Sequence, residues 1–331
     1  MAIQVSGTQV IGNSRELTNI ASIDATTAAA IGAGGVGAPT GELWLGGQAV
    51  GEIAGTPAFN MTFANGRFMM CRNYGGVYWS TDGLNWNVGT YGSPYQKILD
   101  VAYISGNTWL AVGDTGTILR STNNGTNWSQ LSDPTGGGFI SGVASNGSRT
   151  VISVLASGGL RYSDNSGTSW TQVSGTSGWG FDSIGYGNSR FMAVRRSAGF
   201  SYSDNGSSFT NVSNSVVSGG TNFESSGPTY GDSRWMYGLS GGNILTSTNN
   251  GVSWTAVESG GNKHLRKCWF ANGSWIMVGD GCTLLKSASG TPHFVQIPPP
   301  FGTNIIYSGV AYGNGRWAFN IYDAPGVASA A

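Results

Sequence analysis

Charge is scarce in this chain. Only 10% of its 331 residues are Asp, Glu, Lys or Arg, and 16 basic residues balance 16 acidic ones. With no basic field to condense on phosphates, a nucleic-acid-binding role is excluded, and charge-driven recruitment to a membrane with it. Three cysteines (Cys71, Cys268, Cys282) are too few and too scattered for a disulfide framework or a zinc site. They read as buried, reduced thiols, with Cys268 and Cys282 in the first and third strands of one repeat. The two histidines, His264 and His293, stand apart without a ligand partner, so neither metal nor cofactor is expected. No apolar run approaches a membrane span, and Met1-Ala-Ile-Gln-Val5 lacks the basic start and apolar core of a secretory signal. Synthesis in a cytoplasm without membrane insertion is therefore expected.

Glycine, by contrast, is abundant at 55 residues, which suits many short strands joined by tight turns because glycine reaches positive φ without a Cβ clash. One motif recurs: Ser80-Thr-Asp-Gly-Leu-Asn-Trp86, Ser121-Thr-Asn-Asn-Gly-Thr-Asn-Trp128, Ser163-Asp-Asn-Ser-Gly-Thr-Ser-Trp170, Ser203-Asp-Asn-Gly-Ser-Ser-Phe209, Ser247-Thr-Asn-Asn-Gly-Val-Ser-Trp254 and a worn Ser287-Ala-Ser-Gly-Thr-Pro-His-Phe294. The serines are spaced by 41, 42, 40, 44 and 40 positions. A second mark runs in phase with the first. Phe68, Trp109, Val151, Phe191, Trp235, Trp275 and Trp317 each follow a Gly/Asn-type turn, a strong signal for a tight hairpin. Each period then reads as four short antiparallel strands, which is one propeller blade.

Seven turn-aromatic marks against six serine motifs predict an all-β, seven-bladed β-propeller of four-stranded antiparallel blades, with six blades as the alternative. Residues 41–331 would form the ring. Glu42–Leu45 and Ala49–Ile53 would pair with the last strands to close it.

The serine motif resembles the Asp-box of sialidase-like propellers, with Asp82, Asn123, Asn165, Asn205 and Asn249 at the acidic position. Ala111-Val-Gly-Asp-Thr-Gly-Thr-Ile-Leu-Arg-Ser121 is similar to the propellers of photosystem assembly factors. The motif's own chemistry is structural: a short Asx side chain bonds turn amides, glycine permits the turn, and the aromatic plugs between sheets. Catalysis by a sialidase-like enzyme implies an arginine triad and a Glu-activated Tyr, and the arginine motif is absent here. Arg67, Arg190, Arg234 and Arg316 share one slot of the repeat, so the repeat imposes them; they would cover turns and blade edges. The chain is therefore read as not an enzyme, with a glycan depolymerase as an alternative.

Residues 1–40 contain no Trp, Tyr or Phe and end in a Gly/Ala run that cannot bury a core alone. Val5-Ser-Gly-Thr-Gln-Val-Ile-Gly-Asn-Ser-Arg-Glu-Leu-Thr-Asn-Ile-Ala-Ser-Ile-Asp24 resembles a segment of bacteriophage tail-fibre and related virion proteins, although Gly12 stands where Asp is usual. The resemblance covers about 20 residues and implies a virion location, docking of residues 1–40 on other tail proteins, and a homo-oligomer, most simply a trimer.

Recognition is assigned to what departs from the repeat. Tyr91, Tyr95, Trp179, Phe181 and Phe223 fall in inter-blade loops, with Arg195 and Arg196 as a grip on an anionic group. Aromatic faces beside amides and hydroxyls suit a host surface glycan or protein. The combined expectation is a tail fibre or tail-associated adhesin displaying the propeller for host recognition, a purely structural virion propeller being the other alternative.

Overall fold

The computed structural model describes residues 3–5, 8–11, 57–73, 76–90, 96–196, 199–212, 227–290, 292–297, 305–322 and 327–330. The chain divides into two compact units, Met1–Leu45 with Ala330–Ala331, and Gly46–Ser329. In the first unit, β1 (Ile3–Val5) and β2 (Thr8–Ile11) pair as an antiparallel hairpin.

The second unit repeats one four-stranded antiparallel sheet. The first blade is β3 (Ala58–Ala64), β4 (Arg67–Arg72), β5 (Gly76–Ser80) and β6 (Asn87–Val88). The second is β7 (Ile98–Ser105), β8 (Thr108–Gly113), β9 (Ile118–Ser121) and β10 (Ser129–Gln130); the third is β11 (Ile140–Ser145), β12 (Thr150–Val154), β13 (Gly159–Ser163) and β14 (Thr171–Gln172). The fourth runs through β15 (Phe181–Gly187), β16 (Arg190–Arg195), β17 (Gly199–Ser203) and β18 (Thr210–Val212). The fifth is β19 (Thr229–Gly231), β20 (Arg234–Gly238), β21 (Asn243–Ser247) and β22 (Thr255–Glu258), and the sixth β23 (Leu265–Ala271), β24 (Ser274–Gly279), β25 (Leu284–Ala288) and β26 (Val295–Gln296). A closing sheet follows with three strands, β27 (Tyr307–Gly313), β28 (Arg316–Ile321) and β29 (Val327–Ala330).

Among the described residues there are thus six four-stranded blades, the alternative count rather than the seven expected first. The third strand of the closing sheet comes from the end of the chain, because the sequence after Tyr322 still holds one more short strand. The hairpin expected over residues 42–53 lies outside the described residues.

First strands touch in a cycle, β3 against β7, then β11, β15, β19, β23, β27 and back to β3. Two hydrogen bonds show the closure in detail. Ser141 Oγ in β11 donates to the Phe181 carbonyl at the start of β15 at 2.8 Å, and Ser308 Oγ in β27 donates to the Ala58 carbonyl at the start of β3 at 2.6 Å. The core sits between sheets, with apolar clusters at six of the seven junctions among the described residues. Met69, Cys71 and Val77 of the first blade pack with Ile98, Trp109 and Trp128 of the second, and Ala311 and Ala318 of the closing sheet pack with Met61 and Phe68.

The Asp-box turns are self-contained. Asn123 Oδ1 accepts from Ser121 Oγ at 3.0 Å and from the Asn127 amide at 2.9 Å, while Ser121 Oγ accepts the Gly125 amide at 2.9 Å. The Trp128 indole donates to the Gly125 carbonyl at 3.0 Å. Equivalent bonds form around Asn165, Asn205 and Asn249. Around Asp82, burial alone would raise the carboxyl pKa. Hydrogen bonds from Asn85, the Leu84 amide and Ser80 outweigh it and hold the group well below the usual carboxylate range.

The slot arginines latch blades to their successors, and register adds Arg149 to them, since Thr150 pairs with Ser163 as Phe191 does with Ser203. Arg190 donates to the Asn250 carbonyl at 2.8 Å and Arg149 to the Asn205 carbonyl at 2.7 Å, each in the Asp-box turn of the following blade. Arg67 reaches the Asn124 carbonyl, Arg234 that of Gly290, and Arg316 that of Asp82 across the closure. The second blade carries Thr108 in the slot, and Arg120 bonds Thr168 of the third blade instead, at 2.8 Å.

An aromatic five or six residues before the marked aromatic completes the hairpin. Phe63–Phe68, Tyr103–Trp109, Tyr186–Phe191, Tyr230–Trp235, Phe270–Trp275 and Tyr312–Trp317 have ring centroids 4.7 to 5.3 Å apart. Glycine after that aromatic is required at Gly187 and Gly313, where a Cβ would lie 2.3 Å from Tyr230 Cβ and 2.1 Å from the Phe63 ring.

Two of the thiols are as expected: Cys71 and Cys268 are buried in strands, and burial pushes Cys71 up strongly and Cys268 up to about 11. Cys282 differs. It is half-buried in the turn before β25 with φ +63, not in the third strand.

Candidate functional site

Register brings part of the predicted surface together. Phe181 at the start of β15 pairs with Arg195 at the end of β16, so the loop before β15 lies beside the residues that follow β16. There Trp179 is 37% exposed, and the Arg195 guanidinium carbon lies 5.1 Å from its ring centre. Burial lowers the Arg195 pKa from its ordinary value. The exposed Arg196 is pinned through its backbone amide, which donates to the Gly180 carbonyl at 3.0 Å. The loop itself is rigidly bonded: the Trp179 amide donates to the Thr176 carbonyl at 3.2 Å, and the Trp179 carbonyl accepts the Gly159 amide at 2.9 Å. An indole and the Arg195 guanidinium are therefore held together, with Arg196 exposed next in the chain, a geometry suited to a polar ring or an acidic group.

Phe181 does not join them. It is fully buried, packed with Val151, Leu160, Ile184 and Phe191 between the third and fourth blades. Phe181 occupies the first position of an inner strand, which is equally apolar at Ala58, Ile98, Ile140, Leu265 and Tyr307. It is a core residue, and its place in the repeat is the signal that would have shown this. Tyr91, Tyr95 and Phe223 lie outside the described residues.

A second constellation was not anticipated. Six first strands carry a bulge after their first residue, at Ala58/Asn60, Ile98/Asp100, Ile140/Gly142, Phe181/Ser183, Leu265/Lys267 and Tyr307/Gly309. Such an irregularity re-aims the side chain that follows it. Asn60, Asp100 and Lys267 consequently line a central cavity of about 420 Å³. Lys267 Nζ donates to Asn60 Oδ1 at 2.7 Å, and Asn60 Nδ2 donates to Asp100 Oδ1 at 2.5 Å. The Val101 amide also donates to Asp100 Oδ1, and the Val143 amide to Oδ2, both at 2.9 Å.

Burial pushes the Asp100 carboxyl up, opposed by Lys267 and these hydrogen bonds. Burial likewise pulls the Lys267 ammonium down, opposed by Asp100. The lysine of β23 thus reaches Asn60 of β3 past β27.

Two residues beyond the bulge position the inner strands carry Thr62, Ala102, Ala144, Gly185, Thr229 and Ala311, but β23 carries Trp269. The Trp269 ring is half-buried against the cluster of Ala58, Met61 and Ala311, and Lys267 Nζ lies 5.5 Å from its centre. Sequence comparison of single periods could have exposed this residue, since it breaks a run of small ones.

No family model and no curated protein matches the chain. Solved structures do. A YCF48 bound to a D1 peptide superposes with a TM-score of 0.67 at 16% identity over 86% of this chain and 94% of that one. YCF48 from Cyanidioschyzon merolae gives 0.64 at 16% identity over 86% and 97%. The GH74 enzyme of Niastella koreensis gives 0.59 at 18% identity, over 83% of this chain but 43% of the enzyme. At these identities the likeness concerns the fold, which this chain shares with them as a β-propeller.

Proposed function

We propose that this chain is a recognition module, a tail-fibre or tail-associated adhesin of a virion, which displays the propeller toward a host surface glycan or protein. The observation that carries recognition is the Trp179 indole, exposed to solvent with the Arg195 guanidinium beside its ring and Arg196 exposed next to it. A large apolar ring kept in water by a bonded loop costs hydration free energy that a binding partner would return. The virion assignment rests on the resemblance of residues 5–24 to tail-fibre segments, and it makes residues 1–40 the attachment to other tail proteins. Another propeller of this shape, YCF48, is seen with a peptide, so the scaffold suits macromolecular recognition.

In this reading the protein is not an enzyme. Glycoside hydrolysis uses two carboxyl groups flanking the bond. Among the described residues lining the central cavity, Asp100 supplies the only carboxylate, and its two oxygens accept hydrogen bonds from Asn60, Val101 and Val143.

Labelling tests the assignment. Gold-conjugated antibody to the chain should decorate one end of phage particles from a lysate that contains it. Absence of the chain from purified particles would overturn the virion reading, and label on an internal part of the tail would favour the scaffold alternative.

A further inference from the structure

We propose that the central cavity is a binding site for a neutral pyranose ring, stacked on Trp269 with its hydroxyls held by Lys267 and Thr62. The site is separate from the Trp179 surface and does not depend on it. Its volume of about 420 Å³ falls in the range of about 300–1,000 Å³ occupied by small-molecule sites.

Three features choose the ligand class. First, Trp269 is the one large side chain at a level where the other inner strands bring Thr, Ala or Gly. Half-buried, it packs against the cluster that holds Ala311 and lines the cavity together with residues of β3, β7, β11, β15 and β19. The electron-rich face of an indole attracts the weakly positive C–H face of a sugar.

Second, an ammonium group has three N–H donors, and Lys267 places one on Asn60 Oδ1 at 2.7 Å, so others remain for hydroxyl oxygens. Third, the ammonium is tied through Asn60 to the Asp100 carboxylate. The pair cancels in charge, so the cavity offers directional hydrogen bonds without the net positive field an anion requires. A polyol with one apolar face matches all three features.

The full-length protein would be titrated with the methyl glycosides of glucose, galactose and mannose and with N-acetylglucosamine, read by saturation-transfer NMR and tryptophan fluorescence. At least one should bind saturably, and Trp269→Leu should weaken it at least tenfold. Trp269→Phe, which keeps a ring, should weaken it less and guards against a folding defect in the leucine variant. Val88→Ala, at an exposed position of the outer strand β6, should leave sugar affinity unchanged. No saturable binding by any of the four, full affinity in Trp269→Leu, or displacement by acetate or sulfate more readily than by a neutral sugar would each overturn the proposal.

Discussion

Replacing Trp254 with alanine should cost far more than the same change at Trp86, although both fill the last position of an Asp-box. Trp254 is 5% exposed and lies parallel to Phe200 of the preceding blade, with centroids 3.9 Å apart and an interplanar angle of 10°. Its indole also donates to the Gly251 carbonyl at 3.2 Å. Truncating a buried tryptophan leaves a cavity and typically costs about 3–5 kcal/mol, of which the ring stack accounts for about 0.5–1.5 kcal/mol. Trp86 is half-buried, and its nearest ring, Phe68, is tilted with centroids 6.4 Å apart. With less area to expose and no stack to lose, Trp86→Ala should cost about 1–2 kcal/mol. Equilibrium urea unfolding of both variants, followed by far-UV circular dichroism, separates the two values. Equal losses, or a loss below about 1 kcal/mol for Trp254→Ala, would refute the view that these rings act by packing into the blade before them.

Arg190→Met removes a charged hydrogen bond to the next blade and a guanidinium 3.9 Å from the Tyr202 ring centre, and should cost about 2 kcal/mol in the same assay. Asp204→Asn breaks only the exposed ion pair, whose carboxylate is 64% accessible, and should cost less than about 1 kcal/mol; the reverse order would contradict the latch. The Asp82 carboxyl is depressed in the folded state. Its contribution is therefore complete above the ordinary value of about 3.9 and is lost as pH falls toward the folded value. Asp82→Asn should then flatten the fall in stability below about pH 4, and an unchanged acid limb would contradict this. If residues 1–27 carry assembly, full-length protein should sediment as a trimer and a chain beginning at Pro39 as a monomer, equal masses refuting it.

What could be read from the residues was whatever the repeat fixes locally. The Asp-box turn is closed by Ser121, Asn123 and Gly125 within a few positions, so its presence announces its geometry. Position along the period likewise marked Arg190 and Arg316, but their partners, Asn250 and Asp82, follow from ring geometry that no single blade contains. Phe181 was misplaced because Gly178-Trp-Gly180 resembles a loop continuing through it, whereas inter-sheet burial claims the first residue of six of the seven inner strands. The central cavity was illegible for another reason. Asn60, Asp100 and Lys267 are separated by 40 and 207 positions at their bonded steps, and they meet only because a bulge recurs at one level of the ring. The choice between seven blades and six turned on the last sheet, where β29 supplies a third strand and no Asp-box marks a fourth.

Adsorption of fluorescently labelled full-length protein to host cells tests recognition most directly, with Trp179→Ala and Arg196→Ala compared against the parent. The account predicts saturable binding that falls at least tenfold in each variant while thermal unfolding stays unchanged. Undiminished adsorption in both variants, or no saturable binding by the parent, would contradict it.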